Sequence, residues 1–268
     1  MSGFVRFIVT FLIAAPVVLT GGAGGVSNVP WHPAPGLTWQ WQLDDPEIEP
    51  IRKVDVYDID GFGATKEMVG QLHALGIRAI CYIDAGTWED WRPDAGDYPA
   101  EIIGKSWPEW EGERFVDIRR LDLLGPILEK RFDLCAVKGF DAIEPDMIDT
   151  YEADTGFDIS RNDQLAFNRW IADQAHARGL AIGQKNVPEL TPELVDAFDF
   201  AITEDCLADS WCEQMQPYTD AGKAVFAAEY TDREMTLAKI CPRLKALGFS
   251  GILKHRDLDA WLESCGRG

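Results

Sequence analysis

Four carboxylates, Asp141, Glu144, Asp146 and Asp149, crowd into the stretch GFDAIEPDMID at residues 139–149. Ala142 and Ile143 read as the buried part of a short strand, and Glu144 and Asp146, two apart, leave it on the same side. Pro145 has no N–H to give a sheet ladder, so the strand ends where the acids begin. Carboxylates at the end of a core strand are costly to desolvate unless they are paired, bound to a metal or used in chemistry. Two carboxylates on different strands can cleave a glycosidic bond. One protonates the leaving oxygen, and the other attacks carbon or activates water.

Such groups need a scaffold that gathers strand ends. At five junctions a helical stretch ends in glycine and an apolar stretch begins at once, at Gly76, Gly139, Gly179, Gly222 and Gly248. Glycine suits the left-handed residue that closes a helix. The helices before them have the expected spacing, as in Met68, Val69, Leu72 and Leu75, or Phe167, Trp170, Ile171 and Ala175 behind a Ser160 cap. Repeated strand, helix, strand units with short turns imply parallel strands. Strands are expected at 39–43, 54–60, 77–84, 114–118, 142–146, 181–186, 200–205, 224–230 and 251–256. The fold class is therefore α/β, a (β/α)8 TIM barrel with one extra or edge strand. A doubly wound open sheet is disfavoured because no GxGxxG turn follows the first strand. Residues 85–113, rich in Trp, Pro and Asp, read as a loop built over the barrel mouth.

A barrel places the C-terminal ends of its strands around one mouth. The residues expected there are Asp58 and Asp60, Asp84, Asp117, Glu144 and Asp146, Lys185 and Asn186, Glu204 and Asp205, Glu229 and Tyr230, and Lys254 with His255. Acids and aromatics together suit sugars, whose apolar faces stack on rings while their hydroxyls bond carboxylates. Trp39, Trp41, Trp88, Trp91 and Tyr230 are the available platforms. With four histidines and no GxSxG elbow, a serine hydrolase is disfavoured. Asp58, Asp60 and Glu144 could hold a hard cation, but no EF-hand or two-histidine signature supports one. No metal and no cofactor is expected.

The 268 residues are 46% apolar, enough for a sizeable core, and carry a formal charge of −20. That charge repels nucleic acid and anionic membranes and attracts a cationic partner. Residues 1–24 read as a signal peptide, with Arg6 before an apolar run at 7–19 and small residues after it. The run is shorter than the roughly 20 apolar residues of a spanning helix, so no membrane association is expected after cleavage. Residues 25–37, with Pro30, Pro33 and Pro35, form an extended arm, and 38–268 the catalytic domain. Six cysteines in an exported chain point to disulfides. Cys206 with Cys212 and Cys241 with Cys265 are the expected pairs. Cys81 and Cys135 fit a bridge or buried thiols equally well. No ligand spacing suggests structural zinc.

WQWQL at 39–43, VYDID at 56–60, CYIDAG at 81–86, EDWRPD at 89–94, DIR at 117–119, the acidic stretch at 139–149, QKN at 184–186 and TEDC at 203–206 resemble the motifs of the endo-α-1,4-polygalactosaminidase glycoside hydrolases, related to the slime-mould spherulin-4 proteins. The resemblance runs in one order from 39 to 230. It implies a (β/α)8 barrel that hydrolyses partly or fully deacetylated α-1,4-galactosamine polymers, with the catalytic Asp at Asp146 and the catalytic Glu at Glu204. Two positions depart from the family pattern. Met147 stands where Asn usually follows the catalytic Asp, and Asp205 where Glu usually precedes the cysteine.

The sequence thus leads to a secreted or periplasmic, monomeric glycoside hydrolase acting inside galactosamine-rich polysaccharide. Asp146 is expected to be the nucleophile and Glu204 the general acid and base of a retaining reaction. Asp58, Asp60, Asp84 and Glu144 are expected to bind ammonium or hydroxyl groups, and Lys185 to hold a carboxylate in place. Asn186, Trp41, Trp88 and Tyr230 complete the expected substrate contacts. The alternative is a catalytically silent polysaccharide-binding or matrix protein on the same barrel.

Overall fold

A computed structural model of the protein describes residues 30–44 and 47–267, so the expected signal peptide and the first part of the arm lie outside the described residues. The strands are β1 (Trp39–Gln42), β2 (Val56–Asp60), β3 (Arg78–Asp84), β4 (Thr87–Glu89), β5 (Ile103–Ser106), β6 (Glu113–Val116), β7 (Ala142–Asp146), β8 (Ala181–Lys185), β9 (Phe200–Glu204), β10 (Val225–Tyr230), β11 (Ser250–Lys254) and β12 (Glu263–Ser264). The helices are α1 (Lys66–Ala74), α2 (Leu121–Lys138), α3 (Arg161–Ala177), α4 (Thr191–Leu194), α5 (Gln216–Asp220) and α6 (Leu237–Leu247).

Eight strands run parallel around a TIM barrel in the order β1-β2-β3-β7-β8-β9-β10-β11, and β12 adds antiparallel to β11. The strand expected at 114–118 is not one of the eight. It is β6, which pairs antiparallel with β4 and β5 in a separate three-stranded sheet. Residues 85–113 are correspondingly more ordered than a loop: β4 and β5 pair with β6, and Tyr98 and Ile102 are buried in the cluster between barrel strands and helices.

Side chains alternate along each barrel strand. Trp39, Trp41, Val56, Ile80, Ala142, Ala181, Phe200, Ile202, Phe226 and Ile252 fill the interior as one apolar cluster, and a second cluster lies between strands and helices. Gly183 stands where a Cβ would overlap the Phe200 ring, so this position admits no side chain without displacing the aromatic. Between β11 and β1 the barrel is joined by side chains rather than by a ladder. Trp39 Nε1 donates to Ser250 O at 2.8 Å, and buried Lys254 donates to Gln40 Oε1 at 3.2 Å. The described part of the arm, from Pro30 onward, lies against the barrel, where Pro33 O accepts from Ala224 N at 2.8 Å and Trp31 packs against Phe200.

Local sequence explains the helix ends. Thr65 caps α1 and Ser160 caps α3 through capping boxes. Gly139 and Gly248 close α2 and α6 in the left-handed region, at φ 90° and 76°. All six cysteines are paired: Cys206–Cys212, Cys241–Cys265 and Cys81–Cys135, the last tying β3 to α2. Among the described residues no helix is long and apolar enough to cross a membrane.

Gly183→Ala is expected to lower the unfolding free energy by about 1–3 kcal/mol, measured by chemical denaturation, because Phe200 must leave its place in the interior. An unchanged midpoint would show that the ring has room to move.

Candidate active site

Strands β7, β8 and β9 end side by side and bring Asp146, Lys185 and Glu204 together. Lys185 Nζ lies 3.0 Å from Asp146 Oδ1, 2.9 Å from Glu204 Oε2 and 3.2 Å from Glu144 Oε1. Lys185 is 2% exposed and lies 4.8 Å from the centroid of the Trp41 ring. Asp146 also accepts from Met147 N at 2.9 Å and from Tyr82 OH at 3.0 Å. Glu204 accepts from Tyr230 OH, and its N–H donates to Asn186 Oδ1 at 2.9 Å.

The backbone turns sharply just beyond these strand ends. Met147 (φ 58°), Asn186 (φ 46°), Val187 (φ 48°) and Asp205 (φ 53°) are all left-handed. Such a conformation costs on the order of 1–3 kcal/mol at a non-glycine residue and persists where the surroundings over-determine it. Asn tolerates it because its short polar side chain bonds locally, whereas β-branched Val does not. The strain falls at the ends of the three strands whose side chains meet. Met147 occupies one such position, where the Asn usual in the family would be easier to accommodate.

Burial opposes ionisation of Asp146. Nevertheless the Lys185 charge, the hydrogen bond from Lys185, the Met147 N–H and the Tyr82 hydroxyl hold its pKa below the ordinary carboxylate value. Burial would likewise discharge Lys185, but Asp146, Glu204 and Glu144 outweigh it and raise the ammonium's pKa well above its usual value. The Tyr82 and Tyr230 phenols are pushed up first by burial and then by Asp146 and Glu204 respectively, so both are neutral donors.

These groups sit in a cleft of about 610 Å³ lined by eleven acidic and three basic residues, so its field is strongly negative. Trp41, Asp60, Tyr82, Asn186 and the central triad form the base. Trp91, Trp107 and Trp110 reach the cleft from the three-stranded sheet and its flanks. Trp91 and Trp110 are 51% and 54% exposed, unusual for the largest apolar side chain.

Of the residues expected at the mouth or as platforms, Asp60, Asp146, Lys185, Asn186, Glu204, Asp205, Trp41 and Trp91 line the cleft. Asp60 accepts from Arg92 Nη1 at 2.5 Å and from Phe62 N at 2.7 Å. Asp58, Asp84, Glu144 and Tyr230 are buried and do not line the cleft. Asp84 is drawn into the β3–β4 turn by Thr87 N at 2.7 Å and Thr87 Oγ1 at 2.6 Å. Tyr230 lies under Arg256, whose guanidinium stands 3.7 Å from its ring centroid. Trp88 does not line the cleft either. Its Nε1 donates to Ala95 O at 3.0 Å, and its ring packs on the core away from the cleft. Glu229, expected at the same rim, receives Leu207 N at 2.7 Å and anchors the loop after Cys206. The sequence reading missed Tyr82, although alternation from Ile80 along β3 points it inward. It also missed Trp107 and Trp110, which only the three-stranded sheet brings to the cleft.

The model of glycoside-hydrolase family GH114 matches residues 24–268. The chain belongs to that family. It is a glycoside hydrolase, and the resemblance read from its motifs is borne out. Among solved structures it is similar to Aspergillus fumigatus Ega3 in complex with galactosamine, at 29% identity and TM-score 0.84, over 90% of this chain and 100% of that one. It is also similar to the glycoside hydrolase domain of PelA from Pseudomonas aeruginosa, at 16% identity and TM-score 0.67, over 85% of this chain and 98% of the other, a likeness of fold. No curated protein matches the sequence.

In this GH114 chain Lys185→Met is expected to reduce kcat/KM by about 100-fold or more. Without the ammonium the Asp146 carboxyl titrates at higher pH, so the acid limb of the kcat/KM profile moves upward. An acid limb that stays in place would show that Lys185 is not what keeps Asp146 ionised.

Proposed function

We propose that this GH114 hydrolase cleaves internal α-1,4 linkages of galactosamine-rich, partly or fully deacetylated polysaccharide. The observation that carries the reading is the pair Asp146 and Glu204, joined through one buried lysine at the base of an acidic cleft. Deacetylated galactosamine bears an ammonium group, so a polymer of it is polycationic and is drawn by the cleft's field. The galactosamine held by Ega3 supports the same sugar.

Asp146 serves as nucleophile, because it is the carboxylate held ionised by Lys185, Met147 N–H and Tyr82. Glu204 gives its proton to the glycosidic oxygen while Asp146 attacks the anomeric carbon. In the second step Glu204 takes a proton from water, which displaces Asp146. Both bonded oxygens lie within 3.0 Å of the same Nζ, so they are no more than about 6 Å apart. That supports retention, for which carboxyls stand about 5–5.5 Å apart, against about 6.5–9.5 Å for inversion. The apolar N-terminal run and three disulfides support an extracytoplasmic enzyme.

Reducing-end release from deacetylated α-1,4-galactosamine polymer is expected for wild type and to be lost by at least about 1,000-fold in Asp146→Asn and Glu204→Gln. Binding without release by wild type would instead identify a silent polysaccharide-binding protein. Trp91→Ala and Trp110→Ala, which remove exposed stacking faces, are expected to raise KM for the polymer by about 3- to 10-fold with little change in kcat. An unaltered KM would remove both rings from the substrate's path.

A further inference from the structure

Beneath the Lys185 ammonium lies a carboxyl that the two-step chemistry does not use. Asp58, in the middle of β2, is fully buried, and neither of its oxygens receives a hydrogen bond among the described residues. Glu144 on β7 is equally buried, neither of its oxygens receives a hydrogen bond among the described residues, and the two carboxyls bear on each other across the barrel interior. The cation beside Glu144 is Lys185, at 3.2 Å but out of hydrogen-bond alignment. Two ionised carboxylates cannot donate to each other, and an unpaired buried charge is costly. One proton on Asp58 removes the difficulty, making Asp58 the donor and Glu144 the acceptor.

We propose that Asp58 carries a proton throughout the enzyme's working range and is a positioning residue. It donates to Glu144, so that Glu144 keeps one charge against Lys185, and Lys185 in turn holds Asp146 and Glu204. The groups that bear on it fit this role. Glu144 and Asp146 come from β7 and Lys185 from β8, while its ladder partners are non-titrating Trp41 on β1 and Ile80 on β3. Burial first, and then repulsion from Glu144, push the Asp58 carboxyl well above the ordinary range despite Lys185. Burial also lifts Glu144 to about 7, with Lys185 and the hydrogen bond from Asp58 opposing the rise. With Asp58 neutral, one fewer negative charge faces the single ammonium.

The role rests on Asp146 and Glu204 being the catalytic pair, but the protonation does not, and the experiment separates the two. Infrared difference spectra of wild type against Asp58→Asn at neutral pH, recorded without substrate, are expected to show one carboxylic-acid C=O band lost in the variant and shifted in wild type by deuteration. Absence of that band would overturn the proposal. In turnover on the polymer, Asp58→Leu, which has no donor, is expected to lower kcat by about 10- to 100-fold. Asp58→Asn, whose amide can donate to Glu144 at the same place, is expected to recover it to within about fivefold of wild type. A folded Asp58→Asn as impaired as Asp58→Leu would also overturn the role. The Asn variant and the spectra decide the matter even where Leu does not fold.

Discussion

A single buried ammonium organises the functional end of this barrel. Lys185 leaves β8 into a space walled by Glu144, Asp146 and Glu204, and its charge is what allows three carboxyl groups to crowd around one point at the foot of the cleft. Taking such a group out of water costs several kcal/mol per ion, and the attraction inside repays this only with good geometry. Removing one partner of a buried pair leaves an uncompensated charge, at about 3–5 kcal/mol. Stability and reactivity are thus coupled in one cluster. The same interaction that makes the site tolerable in the fold also sets which carboxylate is ionised.

The layers of the barrel follow from that cluster. Below it the interior is apolar and densely filled, with Phe200 lying over the bare face of Gly183 on the strand that ends in Lys185. Above it the chain leaves β7, β8 and β9 through left-handed residues that aim the acids at the mouth. The Cys206–Cys212 bridge and the amides of Leu207 and Ala208 on Glu229 hold the segment that follows Glu204. Rigid support of this kind suits the proposed two-carboxylate reaction, because misplacement of either group by about 1 Å is costly in rate.

The three-stranded sheet and its flanks add a wall to the barrel mouth. They set Trp91, Trp107 and Trp110 beside acids, so apolar ring faces and negative charge occur along one path. Rings and carboxylates together suit a sugar that carries an ammonium, since the ring quadrupole and the carboxylates both attract the cation. The long polar segment between β3 and β6 therefore belongs to the site rather than to the scaffold.

Much of this was legible in residue order alone. Glycine-closed helices followed at once by apolar strands dictate parallel units, because a left-handed glycine ends a helix wherever it lies. The placement of Asp146, Lys185 and Glu204 at strand ends follows from period-two alternation, a local property. The sequence could not say which acids face solvent. Asp58, Asp84 and Glu144 alternate correctly, yet they lie beneath the cleft, because barrel stagger and the Asp84–Thr87 turn set their depth. It likewise left Cys81 and Cys135 open, since their pairing depends on α2 packing against β3. Composition alone concealed the three-stranded sheet, whose strands of three or four residues are too short to show a period. Local chemistry determined the elements and the residues available to them. Only tertiary packing decided burial, and with it which carboxyl keeps its proton, because desolvation depends on everything that surrounds a group rather than on its neighbours in the chain.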